Sequence, residues 1–328
     1  MRAIVYRRYG PPDVLHVADV AKPVPAEDEV LIRVHAAEAT KADCELRSFR
    51  FAVRWFWLPL RIRMGIRTPA NPVLGGYFSG VVVAVGKAVS RFRAGEQVYG
   101  CAQLAMGAYG EYLCLPDSYT IVPGPRNLSF EEAAAVPLGG LNALHFLRLA
   151  NIRAGDSVLV NGAGGSIGSF GVQIARAMGA VVTAVDSPLK AGMLGRIGAD
   201  RFIDYTRQDF TQDGQQYDVI FDMVAGSSYT ACIGALKPGG RYLKGNPRLG
   251  DMIRAYITTR FTDRLASVAL AAETRDELLT LSTWIEDGRI RPVLDRIYPP
   301  GQAADAHRRV ETEQRAGIVV LSMQEWLQ

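Results

Sequence analysis

Cysteine is scarce and scattered. Only four occur in 328 residues, Cys44, Cys101, Cys114 and Cys232, without a CxxC pair, which argues against a disulfide framework and a cysteine knuckle for a structural metal. Histidine is as rare. His16, His35, His145 and His307 lie far apart on expected strands or helices, where each reads as a packing or surface residue. No Ser-His-Asp or Cys-His arrangement is legible, so hydrolase chemistry has no support. No uninterrupted apolar stretch reaches the length that spans a bilayer. The first ten residues, MRAIVYRRYG, read straight into a strand without an apolar signal core or cleavage site, so a cytoplasmic location is expected. A strong charge of either sign is also missing. The net charge of +4 is spread along the chain and gives no case for a nucleic-acid partner. There is no internal repeat and no low-complexity tract.

What remains is ordinary for a soluble globular protein, 48% hydrophobic and 21% charged, in a chain long enough for two domains. The first part is rich in short strand candidates: VLIRVHA at 30–36, SGVVVAVG at 79–86 and EYLCLP at 111–116. The turn signals PPD, KPVP, NPVLGG and RAGE punctuate them, as in a small barrel-like β domain. In the segment that follows, Ser129 is a helix N-cap with Glu131 and Glu132 in the first turn, where acids suit the helix dipole. From Val158 the pattern changes to strands alternating with helices: VLV, VVTAV, RFID, YDVIFD and GGRYLKG. That alternation predicts a doubly wound parallel sheet. The end is mixed again, with helices expected near Glu273–Glu286 and Gln302–Glu313 and a last strand GIVVLS.

The sharpest signal is VLVNGAGGSIG at 158–168, an apolar run ending in a glycine cluster, followed by a helix in which Phe170, Ile174 and Met178 recur four apart. The turn has the frame Ala163-x-Gly165-x-x-Gly168, with Gly164, Ser166 and Ile167 in its variable places. A pyrophosphate sits on a helix N-terminus only where the backbone comes close, and side chains at Gly164 and Gly165 would block it. Asp186 ends the next strand at the distance expected of an acid that reads a ribose hydroxyl. Strand, glycines, helix, second strand and terminal acid together predict a dinucleotide site.

In order along the chain, PVLGGYFSGVVVAVG, RAGEQVYG, GAYGEYLCLP, LSFEEAAAVPLGGLNAL, the glycine turn, LGRIGADRFIDYT, YDVIFDMV, LKPGGRY and RPVLDRIYP are similar to the medium-chain dehydrogenase/reductase superfamily. Within it, they most resemble the zinc-free quinone (enone) oxidoreductases. The resemblance runs nearly end to end. It implies an α/β fold in which a Rossmann domain, residues 125–272, is inserted into a chaperonin-10-like (GroES-like), mostly β catalytic domain formed by 1–124 and 273–328. It also implies a nicotinamide cofactor in the interdomain cleft, a small hydrophobic enone or quinone as substrate, and a homodimer. Zinc-dependent relatives place a Cys three residues before the Asp of the catalytic loop, a His-Glu pair and a four-Cys lobe. Here Thr40, Gly76 and Tyr77 stand in those places and the lobe is absent, so no zinc is expected. Without a Lewis acid to hold an alkoxide, hydride transfer to a conjugated acceptor is favoured over alcohol oxidation.

The resemblance also assigns residues. The loop Thr40–Asp43 lies near the nicotinamide, with Lys41 a candidate donor to an enolate and Asp43 a candidate to orient the loop. Glu45 stands where many relatives carry a Tyr or Lys near the substrate. Tyr77 either lines the cleft with its hydroxyl or packs as an aromatic. Asn142 stands where relatives often have a Thr on the nicotinamide amide, and Asn246 and Pro247 at the nicotinamide end. Asp186 argues for NAD(H), whereas Ser187, Lys190 and Tyr205 match positions that hold the 2′-phosphate of NADP(H), which is favoured; Lys190 is otherwise an ordinary helix-surface lysine. Segment 47–67, RSFRFAVRWFWLPLRIRMGIR, has six arginines and no acid. It reads as a substrate flap using Trp55 and Trp57, as a membrane or acidic-partner contact, or as a helical excursion with packed aromatics and solvated arginines. A cofactor-binding protein with little catalysis and a specialised biosynthetic reductase stay open beside the main reading.

Overall fold

The computed structural model describes residues 1–51, 57–246 and 248–326. The amino-terminal part is a strand-rich lobe. β1 (Arg2–Val5) pairs antiparallel with β2 (His16–Asp19), and β3 (Glu29–Glu38) runs on into α1 (Lys41–Ser48). After α2 (Trp57–Met64) come β4 (Tyr77–Val85), β5 (Gln97–Cys101), β6 (Tyr112–Pro116) and β7 (Ile121–Pro123). In β3 the side chains of Val30, Ile32 and Val34 enter one buried core, and a register shift against β4 between Val34 and Ala36 turns Ala36 into the other core while Ala37 takes the first.

Ser129 caps a helix as expected: its hydroxyl accepts the Glu132 N–H at 3.2 Å and Glu132 reciprocates to the Ser129 N–H at 3.0 Å. That helix, α3 (Phe130–Ala134), is short, and α4 (Pro137–Leu149) restarts at Pro137, whose missing N–H costs nothing in a first turn. The Rossmann part follows: β8 (Ser157–Asn161), α5 (Ser166–Ala177), β9 (Val181–Asp186), α6 (Ala191–Arg196), β10 (Arg201–Asp204), β11 (Tyr217–Asp222), α7 (Tyr229–Gly234), β12 (Leu236–Lys244), α8 (Leu249–Phe261) and β13 (Leu265–Val268). Among the described residues its strands form one parallel sheet in the order β10-β9-β8-β11-β12-β13. The edge strand β13, four residues long, is additional to the strands expected from the sequence.

The remaining elements are α9 (Arg275–Glu286), β14 (Leu294–Tyr298), α10 (Ala303–Glu311) and β15 (Ile318–Ser322). The helix expected from Glu273 starts two residues later, because Thr274 takes the N-cap and accepts the Glu277 N–H at 3.3 Å. β15 pairs antiparallel with β3 and parallel with β14, so the last strands rejoin the first sheet. The tail also touches the Rossmann part, since the Gly317 N–H donates to the Gly164 carbonyl at 3.0 Å. Among the described residues no helix is long and apolar enough to cross a membrane.

Candidate active site

The glycine turn joins β8 to α5 as expected. Gly162 has φ +79°, a left-handed conformation that favours glycine, and a Cβ on Gly168 would lie 2.2 Å from the Gly162 carbonyl oxygen. Those two glycines hold helix against strand. Gly165 is the N-cap of α5 and offers no side chain to the first-turn N–H groups. Ala163 and Ser166 are buried and Ile167 is half-buried. A helix start without a side-chain cap fits a pyrophosphate.

Gly164 serves a different neighbour. A Cβ there would meet Lys190 Cδ at 2.2 Å and Asp186 Oδ2 at 3.0 Å. Asp186 accepts the Gly164 N–H at 2.7 Å and the Ser187 N–H at 2.7 Å, and Lys190 Nζ stands 2.8 Å from its Oδ1. Lys190 is therefore no surface lysine: its stem lies in the space that glycine leaves and both partners are buried. Ser187 is half-buried, and Tyr205, 61% exposed, bonds through its N–H to the Asp186 carbonyl at 3.4 Å. Glu313 lies within the field of Lys41, Arg315 and Lys190; the Lys41 hydrogen bond, first among these influences, holds its carboxyl below the usual range. A cationic rim thus borders the turn.

In the Thr40–Asp43 loop, Asp43 is wholly engaged. Its Oδ2 accepts the Thr40 hydroxyl at 2.6 Å and the Thr40 N–H at 3.0 Å, and its Oδ1 accepts the Gly75 N–H at 3.1 Å. The Thr40 hydroxyl in turn caps α1 by accepting the Asp43 N–H at 2.9 Å. These bonds orient the loop. Lys41 is exposed and ion-paired with Glu313, and Glu45 lies half-buried on α1. Phe49, Arg50, Phe51 and Trp57 line a separate cavity of about 570 Å³. In the arginine-rich segment, Arg47 is buried and paired with Glu311, and Arg61 stacks over Tyr9 and Phe49, so neither is the solvated arginine of the helical-excursion reading. Trp55 and Pro247 lie outside the described residues.

Two acids that the sequence reading leaves unassigned occupy the interior. The Tyr77 hydroxyl, on the first residue of β4, donates to Glu273 Oε1 at 2.6 Å. Burial pushes the Glu273 carboxyl above its ordinary value, against hydrogen bonds from Tyr77, Asn142 and Cys101. Burial likewise drives Tyr77 and Cys101 well upward, so both are neutral donors. The Asn142 amide is tied to its own helix, donating to the Leu138 carbonyl at 2.9 Å, and Asn246 donates to the Met223 carbonyl at 2.8 Å. Glu38 is fully buried with Oε2 unpartnered, and burial raises it to about 8 against the offsetting Ser166 hydroxyl and Arg315 charge. The register shift before Ala36 breaks the alternation that runs from Val30, so strand parity does not mark Glu38 in the sequence, and nothing local marks Glu273.

The donor set does not fit a tetrahedral zinc. Thr40 is spent on its cap, Gly76 has no side chain, Tyr77 is bonded to Glu273, and among the described residues no three His, Cys, Asp or Glu converge.

Residues 26–126 match the alcohol dehydrogenase GroES-like domain, and residues 197–321 the family described as zinc-binding dehydrogenase. The chain is 31% identical to the quinone oxidoreductase of Mus musculus over 94% of both chains. It is 30% identical to the chloroplastic NADPH-dependent alkenal/one oxidoreductase of Arabidopsis thaliana, over 98% of this chain and 79% of the relative. The quinone oxidoreductase structure from Coxiella burnetii superposes with a TM-score of 0.87 at 28% identity, covering 98% and 99% of the two chains. An NAD-dependent alcohol dehydrogenase structure superposes at 0.80 with 31% identity, covering 98% and 100%. With a parallel dinucleotide-type sheet joined to a GroES-like lobe and relatives matched nearly end to end, the chain belongs to the medium-chain dehydrogenase/reductase superfamily of oxidoreductases.

Proposed function

We propose that the chain is a zinc-independent reductase using a reduced nicotinamide cofactor, NADP(H) in preference to NAD(H), and acting on a small hydrophobic enone or quinone. The observation that carries this reading is the hydrogen-bonded network of Tyr77, Glu273 and Asn142 around the positions where a zinc site would stand. Such a cleft offers no Lewis acid to an alkoxide, whereas a conjugated acceptor carries its own electron sink. The bound cofactor would supply hydride to the β-carbon of an enone or to a quinone.

The chain's own residues hold and orient. The α5 start, with Ala163, Gly164, Gly165, Ser166, Ile167 and Gly168, receives the pyrophosphate. Lys190 already neutralises Asp186, so a 2′-phosphate beside Ser187 and Tyr205 meets a paired carboxylate rather than a bare one. Thr40 and Asp43 fix the loop beside the reacting ring, and Asn142 and Asn246 face the nicotinamide end. Lys41 stays on the rim, while Glu45 and Trp57 bound the substrate side. A homodimer is supported by α8, which leaves Leu249, Ile253, Tyr256, Ile257 and Phe261 exposed beside the edge strand β13.

Steady-state assays with NADPH and NADH over enones, quinones and alcohols test the reading. Turnover of enones or quinones, with higher kcat/KM for NADPH, is expected. Turnover confined to alcohols refutes the reaction, and tight cofactor binding without turnover leaves a binding protein instead.

A further inference from the structure

We propose that Glu273 is the proton donor of this reaction, delivering its carboxyl proton to the α-carbon of the enolate left by hydride addition. The proposal rests on the enone reading above.

Placement comes first. Glu273 lies five residues beyond the end of β13, at the carboxyl edge of the parallel sheet, where ligands of such folds collect. It faces groups from three other elements: Tyr77 on β4, Cys101 at the end of β5 and Asn142 on α4. Side chains from both sheets and from α4 therefore meet at this one carboxyl.

The backbone shows that the position is held on purpose. Glu273 has φ +41°, a left-handed conformation that a side-chain-bearing residue adopts only under constraint. The constraint is visible: the Thr120 hydroxyl donates to the Glu273 carbonyl at 2.7 Å, and Thr274 begins α9 directly after it. A relaxed backbone at 273 would lose the reach to Tyr77.

The electrostatics suit a donor. All three side chains named as bonding the carboxyl are uncharged, and among the described residues no Lys, Arg or His pairs with it. The other titratable groups acting in this interior are Tyr77, Cys101 and Glu38, of which burial keeps the first two neutral and Glu38 largely so below pH about 8. Burial favours the neutral carboxyl and outweighs the hydrogen bonds from Tyr77, Asn142 and Cys101, which favour the ionised one, so the net direction is upward. The alternatives are spent: Asp43 on loop N–H groups, Lys41 on Glu313 at the surface, Tyr77 on Glu273 itself.

The step balances. Hydride from the reduced nicotinamide forms the new C–H bond at the β-carbon, and the C=C electron pair moves to give the enolate. The Glu273 O–H bond breaks as the α-carbon takes the proton and the carbonyl reforms. Glu273, now a carboxylate stabilised by the Tyr77 hydroxyl, is reprotonated by water.

Glu273→Gln keeps the size and the Tyr77 hydrogen bond but carries no acidic proton. Expected is a 10²- to 10⁴-fold loss of enone kcat, with cofactor Kd within threefold of wild type, and a loss on a quinone at least tenfold smaller, because water can protonate a hydroquinone oxygen. In D₂O, wild type deuterates an α-substituted enone on one face, and the variant on both. In the cofactor-free protein, the infrared carbonyl band of a protonated acid is present in wild type and reduced in Glu273→Gln. Tyr77→Phe, which leaves the acid in place, moves the alkaline limb of kcat to higher pH. A Glu273→Gln protein with wild-type enone kcat and single-face deuteration overturns the assignment while leaving the proposed function standing; should that variant not fold, an unmoved alkaline limb in Tyr77→Phe overturns it. Wild-type protein that reduces no enone refutes the function and this step together.

Discussion

Two pairs of acids withdrawn from solvent, Asp222 with Asp251 and Glu38 with the half-buried Glu273, are built in opposite ways. In the first, Asp222 at the end of β11 accepts hydrogen bonds from Tyr242 at 2.7 Å, Asn161 at 2.9 Å, Ser227 at 2.9 Å and the Val224 N–H at 3.0 Å. Lys244, with no exposed surface, stands 3.2 Å from Asp251 and 3.9 Å from Asp222. Burial pushes Asp222 up and every neighbour pulls it back. In the second cluster, Glu38 and Glu273 have no bonded cation, and Glu38 leaves one oxygen without any partner. The first cluster is compensated and serves the fold. The second lacks an ion-paired cation among the described residues, so burial at Glu273 is opposed by uncharged donors alone, and at Glu38 by the Ser166 hydroxyl and the charge of Arg315.

The largest effect expected from this contrast is on Lys244. Lys244→Met strands two buried acids and is expected to cost about 3–5 kcal/mol of stability, read by denaturant unfolding. A cost under about 1 kcal/mol would erase the distinction between the clusters, since removing one partner of a buried ion pair is the costly case.

Glu38 tests the other side through pH. Its folded value of about 8 lies above that of an unfolded glutamate, so between those values the folded chain holds a proton that the unfolded chain has released. Its stabilising contribution is complete below the unfolded value and is lost as pH rises through about 8, at no more than about 1.4 kcal/mol per pH unit. Glu38→Gln is expected to flatten that decline in thermal unfolding measured from pH 5 to 8. An unchanged slope would mean that Glu38 is ionised in the folded protein.

Gly168→Ala addresses the turn that both clusters flank. The added Cβ meets the Gly162 carbonyl at 2.2 Å and Ala163 Cα at 2.6 Å, backbone that yields only by moving. A loss of about 1–3 kcal/mol in stability and weaker cofactor binding by titration are expected. Lys190→Ala is the mildest. It exposes the Asp186 charge to the cofactor, and NADPH kcat/KM is expected to fall about tenfold, about 1.4 kcal/mol, with a smaller change for NADH. Equal losses for the two cofactors would remove Lys190 from 2′-phosphate recognition.

Residue by residue, legibility followed the range of the interactions. The glycine turn, the Ser129 cap and the Thr40–Asp43 cap depend on partners within a few residues, and each is visible in the string, whereas the Gly75 N–H that also bonds Asp43 lies 32 residues on. Glu38 is not legible, because the register shift between Val34 and Ala36 breaks the alternation that runs from Val30, and only the packing shows that among the described residues no cation pairs with it. Lys190 reads as a surface residue until Gly164 is seen to leave room for its stem. Arg47 reads as solvated until Glu311, 264 residues away, reaches it. Short β13 carries too little pattern to stand out from the segment around it.

Composition, periodicity and motif order were enough for the two-lobed α/β plan and a dinucleotide turn, because backbone hydrogen bonds and side-chain alternation act between near neighbours. The chemistry of the cleft depends on other distances. Tyr77 and Glu273 are 196 residues apart, Thr120 and Glu273 are 153 apart, and their bonds exist only once the last strands rejoin the first sheet. Burial then pushes an ordinary glutamate above its usual range, because the dielectric around a carboxyl is a property of everything packed against it and not of its place in the chain.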